Sequence, residues 1–245
     1  MTVKNILISQ PKPSGASPYT ELETKYGVTF EFRPFFKVEG VSQRDFVAQR
    51  VNITDYTAIV FTSRTAIDSF FKVCEQTRVT VPESMKYFCQ SETIAVYLQK
   101  YIVFRKRKIF YGSGTIDSMM EAIAAKQKNE NFLIACTDAP KPEMDKLFNK
   151  AKYKHGNVVL VRTVYNDLSD LDFSKYQMMV FYSPNDVRSI KENFPEFKQD
   201  GMLFATYGPS TAKAMKAAKL KVEISVPSPE CPSVAQALNF YLSAK

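Results

Sequence analysis

The sequence predicts an α/β protein built as two doubly wound parallel-sheet lobes, and three observations carry that expectation. Short apolar runs rich in Ile, Val and Phe alternate with stretches of helical period along all 245 residues, as in parallel sheets covered on both faces. The roughly ten strands this implies are many for one sheet, and the length accommodates two small domains. An internal repeat also divides the chain. Val60-Phe61-Thr62-Ser63 recurs 120 residues later as Val180-Phe181-Tyr182-Ser183, with Ile67 against Val187 and Ser69 against Ser189. Ser91-Glu92-Thr93-Ile94-Ala95 recurs 117 residues later as Gly208-Pro209-Ser210-Thr211-Ala212, the near-agreement that duplication with small indels leaves.

In chain order, residues 3–9 read as a strand closed by Gln10-Pro11-Lys12-Pro13-Ser14-Gly15, and 17–26 as a helix. Residues 29–36 are extended and aromatic. Residues 42–51 read as a helix with Ser42 as N-cap and Asp45 in its first turn. A buried strand at 58–61 leads into a helix at 65–77 whose Ile67, Phe70, Phe71 and Cys74 share a face. Further strands are expected at 86–89, 132–135, 158–163, 178–181 and 203–206. Further helices are expected at 93–101, 115–128, 142–152, 186–194, 210–218 and 233–243.

A net charge of +8 and a pI near 9.2 favour anionic partners without choosing among nucleic acid, lipid and polycarboxylate ligands. The cysteines Cys74, Cys89, Cys136 and Cys231 lack metal-ligand spacing and read as free thiols in a reducing compartment. With no signal peptide and no apolar run near the ~20 residues of a membrane span, a soluble cytoplasmic protein is expected.

Ligands of open parallel sheets bind beyond the carboxyl ends of the strands. Four turns there pair hydroxyls with a helix start: Thr62-Ser63-Arg64-Thr65, Ser91-Glu92-Thr93, Ser183-Pro184-Asn185 and Gly208-Pro209-Ser210-Thr211. Tyr111-Gly112-Ser113-Gly114-Thr115 is similar. Such turns accept anions through N–H and O–H groups, and they equally serve as plain N-caps. Other chemistries lack a signature. The single histidine, His155, reads as a surface-loop residue, and neither a P-loop nor a dinucleotide fingerprint is present. Arg105-Lys106-Arg107-Lys108 reads as a solvated basic face without interleaved aromatics. Asp167, Asp170 and Asp172 read as loop caps.

These turns resemble the uroporphyrinogen-III synthase family of tetrapyrrole biosynthesis. The resemblance rests on Phe61-Thr62-Ser63-Arg64-Thr65-Ala66, Phe181-Tyr182-Ser183-Pro184-Asn185 and Tyr207-Gly208-Pro209-Ser210-Thr211-Ala212-Lys213-Ala214, followed by Pro227-Ser228-Pro229 and the terminal helix. It implies two α/β lobes joined by two extended linker strands, here residues 30–37 and 158–165. Residues 1–34 plus 166–245 would form the first lobe and 35–165 the second. The implied reaction, with no cofactor or metal, cyclises hydroxymethylbilane with inversion of its terminal pyrrole ring and loss of water. That substrate carries eight carboxylates. The expected partners are this small molecule alone, with no nucleic acid and no membrane, and the expected state is a monomer.

Carried over from the family, the cleft hydroxyls fall on Ser63, Thr93, Ser183 and Ser210, helped by adjacent N–H groups such as those of Arg64 and Thr211; with the turn residues Thr65, Ser91, Asn185 and Gly208 these make up the expected substrate-binding set. The family's proposed acid is a tyrosine two residues before a Thr on the second linker strand, and Val161 of Val161-Arg162-Thr163 stands in that place. Tyr165, of the same strand parity, is the candidate substitute. A family lysine expected just before the Tyr207-Gly208-Pro209 turn is replaced by Leu203. The alternatives are a non-catalytic two-lobed binding module for an anionic ligand, and a basic nucleic-acid-binding protein.

Overall fold

The structure, a computed structural model, describes residues 2–126, 129–139 and 142–244. It divides into two compact units, Met1–Lys37 with Tyr165–Lys245, and Val38–Val164.

The first unit holds β1 (Asn5–Ile8), α1 (Pro18–Tyr26) and β2 (Thr29–Phe32). The chain passes through β3 (Phe36–Gly40) into the second unit, which holds α2 (Gln43–Ala48), β4 (Ala58–Phe61), α3 (Arg64–Thr77), β5 (Lys86–Cys89), α4 (Glu92–Tyr97), β6 (Ile109–Tyr111), α5 (Ile116–Lys126), β7 (Phe132–Thr137) and α6 (Pro142–Lys150). Through β8 (His155–Tyr165) it returns to the first unit, which is completed by β9 (Met178–Phe181), α7 (Pro184–Asn193), β10 (Leu203–Tyr207), α8 (Pro209–Ala217), β11 (Ile224–Val226) and α9 (Val234–Ser243).

The first unit's sheet has the order β11-β10-β9-β1-β2, parallel throughout. Its core lies on both faces, as strand alternation requires. Ile6, Ile8 and Val180 pack with Leu22 and Leu238, while Leu7, Phe181 and Phe204 pack with Val187, Ile190 and Met215. The second sheet has the order β3-β8-β7-β4-β5-β6, and its β4–β5, β4–β7, β5–β6 and β7–β8 pairs are parallel. Ile59, Phe61 and Leu133 face Ile67 and Phe70, and Val60 and Phe132 face Met119 and Phe148. Strands buried on both faces cannot alternate with polar residues, which is why β4 reads AIVF and β9 reads MMVF, buried at every position.

These strand orders create one switch point in each sheet. After β1 the chain runs outward to β2, and after β9 it runs the other way to β10, so their loops diverge. The chain leaves β4 for β5 and leaves β7 for α6 and β8, and a second crevice opens there.

Several expectations are corrected. Residues 30–37 are not one crossing strand. Thr29–Phe32 pairs with β1 at the edge of the first sheet, and Pro34, which lacks an N–H, separates it from β3. His155 is not in a surface loop but opens β8 half-buried, its ring 5.3 Å from Phe148 and its Nδ1 2.9 Å from the Tyr153 carbonyl. Leu203 begins β10, at the opposite end of that strand from the 207–209 turn. The expected helix 93–101 is helical only to Tyr97 and tightens into a 3-10 turn over Leu98–Lys100. Of the helix expected at 115–128, residues 127 and 128 lie outside the described residues. The edge strands β6 and β11 carry no signal in the sequence; at three residues each they are too short to show a period.

Candidate active site

In the second unit, β4 ends one residue before the turn that starts α3. Ser63 caps that helix, its Oγ accepting from the Ala66 N–H at 3.1 Å. The cap leaves the Ser63 O–H proton free to donate. The N–H groups of Arg64 and Thr65 bond to nothing among the described residues. Arg64 is exposed, with its guanidinium 5.4 Å from the Tyr97 ring, and Thr65 is half-buried. One strand over, Ser91 precedes α4 without capping it; Ser91 Oγ and Thr93 Oγ1 bond each other at 2.9 Å, and Thr93 is exposed. Thus Ser63, Ser91 and Thr93 follow adjacent strands at one end of one sheet.

The fifth turn is closed on itself. Gln90 Nε2 donates to the Gly114 carbonyl at 2.7 Å, and the Ser113 N–H donates to Ser118 Oγ at 2.9 Å. Gly112 is required there, because a Cβ would lie 2.6 Å from the Met119 nitrogen. Beside the β4–β7 switch point a hollow of ≈ 210 Å³ is lined by Thr62, Gln90, Cys136, Thr137 and Asp145 among others.

In the first unit the turns after β9 and β10 differ sharply. Ser183 caps α7, accepting from the Asn185 N–H at 3.1 Å, and Pro184 brings no N–H. Asp186 closes the other half of a capping box: its Oδ2 accepts from the N–H groups of Tyr182 and Ser183, both at 2.8 Å, and from Ser9 Oγ at 2.8 Å. Hence the start of α7 is saturated by the chain itself. Asn185 is half-buried, and its Oδ1 lies 3.4 Å from Arg188. The start of α8 is open. Gly208 occupies the N-cap with φ 86 and ψ 147, and no side chain caps the helix. Ser210 is exposed, with neither its N–H nor its hydroxyl bonded among the described residues. Thr211, 1 % exposed, sits beneath the turn, its Oγ1 without a partner among the described residues.

Phenols line the same end of this sheet. The Tyr19 and Tyr182 hydroxyls are 2.6 Å apart, and the Tyr182 ring stacks on Tyr207 at 5.9 Å. Burial pushes the Tyr19 and Tyr182 hydroxyls above the ordinary phenol range.

Val161 and Tyr165 share a strand but not an environment. Val161 is 2 % exposed within the second unit's core. A register shift opposite Cys136 and Thr137 lets Leu160 and Val161 both point inward. Tyr165 is half-buried, its hydroxyl without a partner among the described residues. Arg162, between them, is committed to Glu39 at 2.9 Å and Asp45 at 3.3 Å.

Within the Asp167–Asp172 loop, Asp167 accepts from Ser169 and Asp172 from Ser174, while Asp170 pairs with the distant Arg33 at 2.6 Å. No His/Cys/Asp/Glu group among the described residues could hold a metal ion. All four cysteines are free, and burial pushes the Cys74 and Cys89 thiols up to about 12. No helix among the described residues is long and apolar enough to cross a membrane. Sequence reasoning missed Asp186 and Ser9. The Ser183-Pro184-Asn185-Asp186 spacing was the available signal for the first, whereas nothing local marks the second.

A family model described as Uroporphyrinogen-III synthase HemD matches residues 17–236. Among solved structures, the chain is similar to uroporphyrinogen-III synthetase from Helicobacter pylori, with a TM-score of 0.60 at 13 % identity over 99 % of this chain and 100 % of that one. It is also similar to a mutant uroporphyrinogen III synthase from Thermus thermophilus, with a TM-score of 0.57 at 12 % identity, again over 99 % and 100 %. Identities this low speak for the fold. No curated protein sequence matches the chain.

Proposed function

The chain belongs to the uroporphyrinogen-III synthase family, and on that premise we propose which of its residues carry the family's reaction and how. The family cyclises hydroxymethylbilane in tetrapyrrole biosynthesis as a lyase that eliminates water. The terminal hydroxyl departs as water to leave an azafulvenium cation. The substituted position of the terminal ring attacks it, and the resulting spiro intermediate breaks and recloses with that ring inverted. Uncatalysed closure gives the uninverted isomer, so holding the bilane in a spiro-forming fold carries the specificity.

The single observation supporting the site assignment is the pair of open helix starts. At α3, the Arg64 and Thr65 N–H groups and the Ser63 O–H proton have no acceptor within the described residues; at α8, the Ser210 N–H and hydroxyl have none. Each is a preformed set of hydrogen-bond donors for a carboxylate at the positive end of a helix of eight residues or more. We assign Ser63, Arg64, Thr65 and Ser210 to direct contact with substrate carboxylates, joined by the exposed Thr93 beside Ser91. Gly208 and the buried Thr211 shape the α8 turn. Ser183 and Asn185 present their side chains from a turn whose N–H groups are already used. Tyr165 is the assigned proton donor to the leaving hydroxyl, its O–H being without a partner among the described residues.

We assign a monomer, since one chain supplies every turn, working without a cofactor and with no nucleic-acid or membrane partner. The buried thiols support a reducing, cytoplasmic setting. Hydroxymethylbilane generated in situ from porphobilinogen and its deaminase, followed by oxidation and chromatography of the uroporphyrin isomers, tests the reading. Isomer III in excess over spontaneous isomer I is expected; isomer I alone, from folded protein, would leave a non-catalytic binding module.

A further inference from the structure

Asp186 is the only fully buried charged side chain among the described residues, and the chemistry above makes no use of it. All its hydrogen bonds fall on one oxygen. Oδ2 receives Ser9 Oγ, Tyr182 N and Ser183 N, each at 2.8 Å, while Oδ1, equally buried, has no partner among the described residues. The donors come from the loops after β1 and β9, which diverge at the switch point of the five-stranded sheet. Three donors converging there are what an open α/β sheet offers to an anionic ligand.

The titratable groups beside Asp186 are phenols: Tyr182 on its own turn, Tyr19 from α1 bonded to Tyr182, and Tyr207 at the end of β10 stacked on Tyr182. No cation pairs with the carboxylate among the described residues, and burial pushes its carboxyl up to about 6. The repeat supplies the contrast. The position equivalent to Asp186 in the second unit is Ala66; the first turn of α3 contains no acid, and although the Ala66 N–H donates to Ser63 Oγ, the Arg64 and Thr65 N–H groups have no partner among the described residues.

We propose that Asp186 is a positioning residue: it fills the anion cradle at the β1–β9 switch point with the chain's own carboxylate, holds the 182–185 turn in one geometry, and leaves the substrate's carboxylates to the open turns of α3 and α8. The kinetic half of this proposal rests on the substrate reading above; the occupied cradle does not.

The two halves are tested separately. In the intact wild-type chain, the amide ¹H and ¹⁵N shifts of Tyr182 and Ser183 are followed against pH. Both should move together with one midpoint above the ordinary carboxylate range, and the transition should vanish in Asp186→Asn. Amides that do not move in the wild type, or that move equally in the variant, overturn the occupied cradle, whether or not the protein forms isomer III. In Asp186→Ala the emptied cradle should raise KM for hydroxymethylbilane about tenfold, with kcat changed less. Sodium formate, which restores the missing anion, should recover most of that loss, and neutral formamide should not. An unchanged KM, or equal effects of formate and formamide, overturns the positioning role. If Asp186→Ala does not fold, Asp186→Glu, which keeps the charge, should stay closer to wild-type KM than Asp186→Asn; the reverse order overturns the proposal.

Discussion

Ser9 donates its hydroxyl to Asp186 across 2.8 Å, and both side chains are buried, so the end of the first strand and the start of the seventh helix are joined by a bond spanning 177 residues of sequence. The carboxylate that receives it has no compensating cation among the described residues. Its ionised form is therefore held by hydrogen bonds alone, against the cost of leaving water.

That cost sets a pH dependence. Burial raises the Asp186 carboxyl from 3.8 to about 6, so the folded chain binds this proton more tightly than the unfolded chain. The contribution to stability is greatest below the unfolded value, falls as pH rises between the two values, and stays at its lower level above the folded one. A difference of about two units corresponds to about 3 kcal/mol. Asp186→Asn abolishes this slope. Urea unfolding of both proteins at about pH 4 and about pH 7 should show the variant gaining stability relative to wild type at the higher pH. A difference independent of pH would mean that Asp186 does not titrate in this window.

Ser63 and Ser210 separate capping from binding. Ser63 caps α3 through Ala66, so Ser63→Ala should cost about 1 kcal/mol of stability as well as raising KM for the bilane. Ser210 is exposed and its hydroxyl has no partner among the described residues, so Ser210→Ala should leave stability within about 0.5 kcal/mol of wild type while still raising KM. Thermal unfolding and steady-state kinetics on the two variants read both effects. Unchanged kinetics in both would remove the hydroxyls from substrate binding.

The legible parts of the fold are those whose causes are local. Ser17, Ser42 and Ser63 cap helices where sequence alone places helix starts, and β4, β5 and β9 match the apolar runs residue for residue. The misread parts depend on distant partners. Residues 29–32 join the first sheet because β1 offers a parallel edge, which no local signal announces. Ser69 and Ser189, matched by the repeat, both turn out buried, and both abut the incoming chain: Ser189 donates to the Phe35 carbonyl at 2.7 Å, and Ser69 lies against Gly40. At the candidate site, the hydroxyl turns are readable as a set, but the difference between an open α3 and a self-filled α7 is not. It requires Asp186 to meet Ser9 and to turn inward.

Gly208 shows the backbone requirement of the α8 turn. Its φ of 86 with ψ of 147 is a region that only glycine occupies without strain, although a Cβ there would meet no neighbour within 4 Å. Gly208→Ala should therefore destabilise the fold by about 1–3 kcal/mol through backbone strain rather than a clash, and should weaken bilane binding by displacing Ser210. Chemical denaturation beside KM measures both. A stability equal to wild type would show that the turn relaxes without cost.

Tyr165 and Val161 lie four residues apart on β8 and answer opposite tests. Tyr165 is half-buried with a hydroxyl that has no partner among the described residues, so Tyr165→Phe should lower kcat at least ~10-fold, the smallest usual contribution of a positioned acid being larger still, with KM little changed. Full activity in that variant would remove Tyr165 from the mechanism and leave water or a substrate carboxylate to protonate the leaving hydroxyl. Val161 is 2 % exposed among Leu160, Leu133 and their neighbours, so a phenol introduced there has no open path to solvent. Val161→Tyr should destabilise the second unit by about 1–3 kcal/mol through overpacking and should not raise kcat. A rate gain in a stable Val161→Tyr protein would show instead that β8 can rotate this position out of the core, and would return the acid's role to Val161's place on the strand.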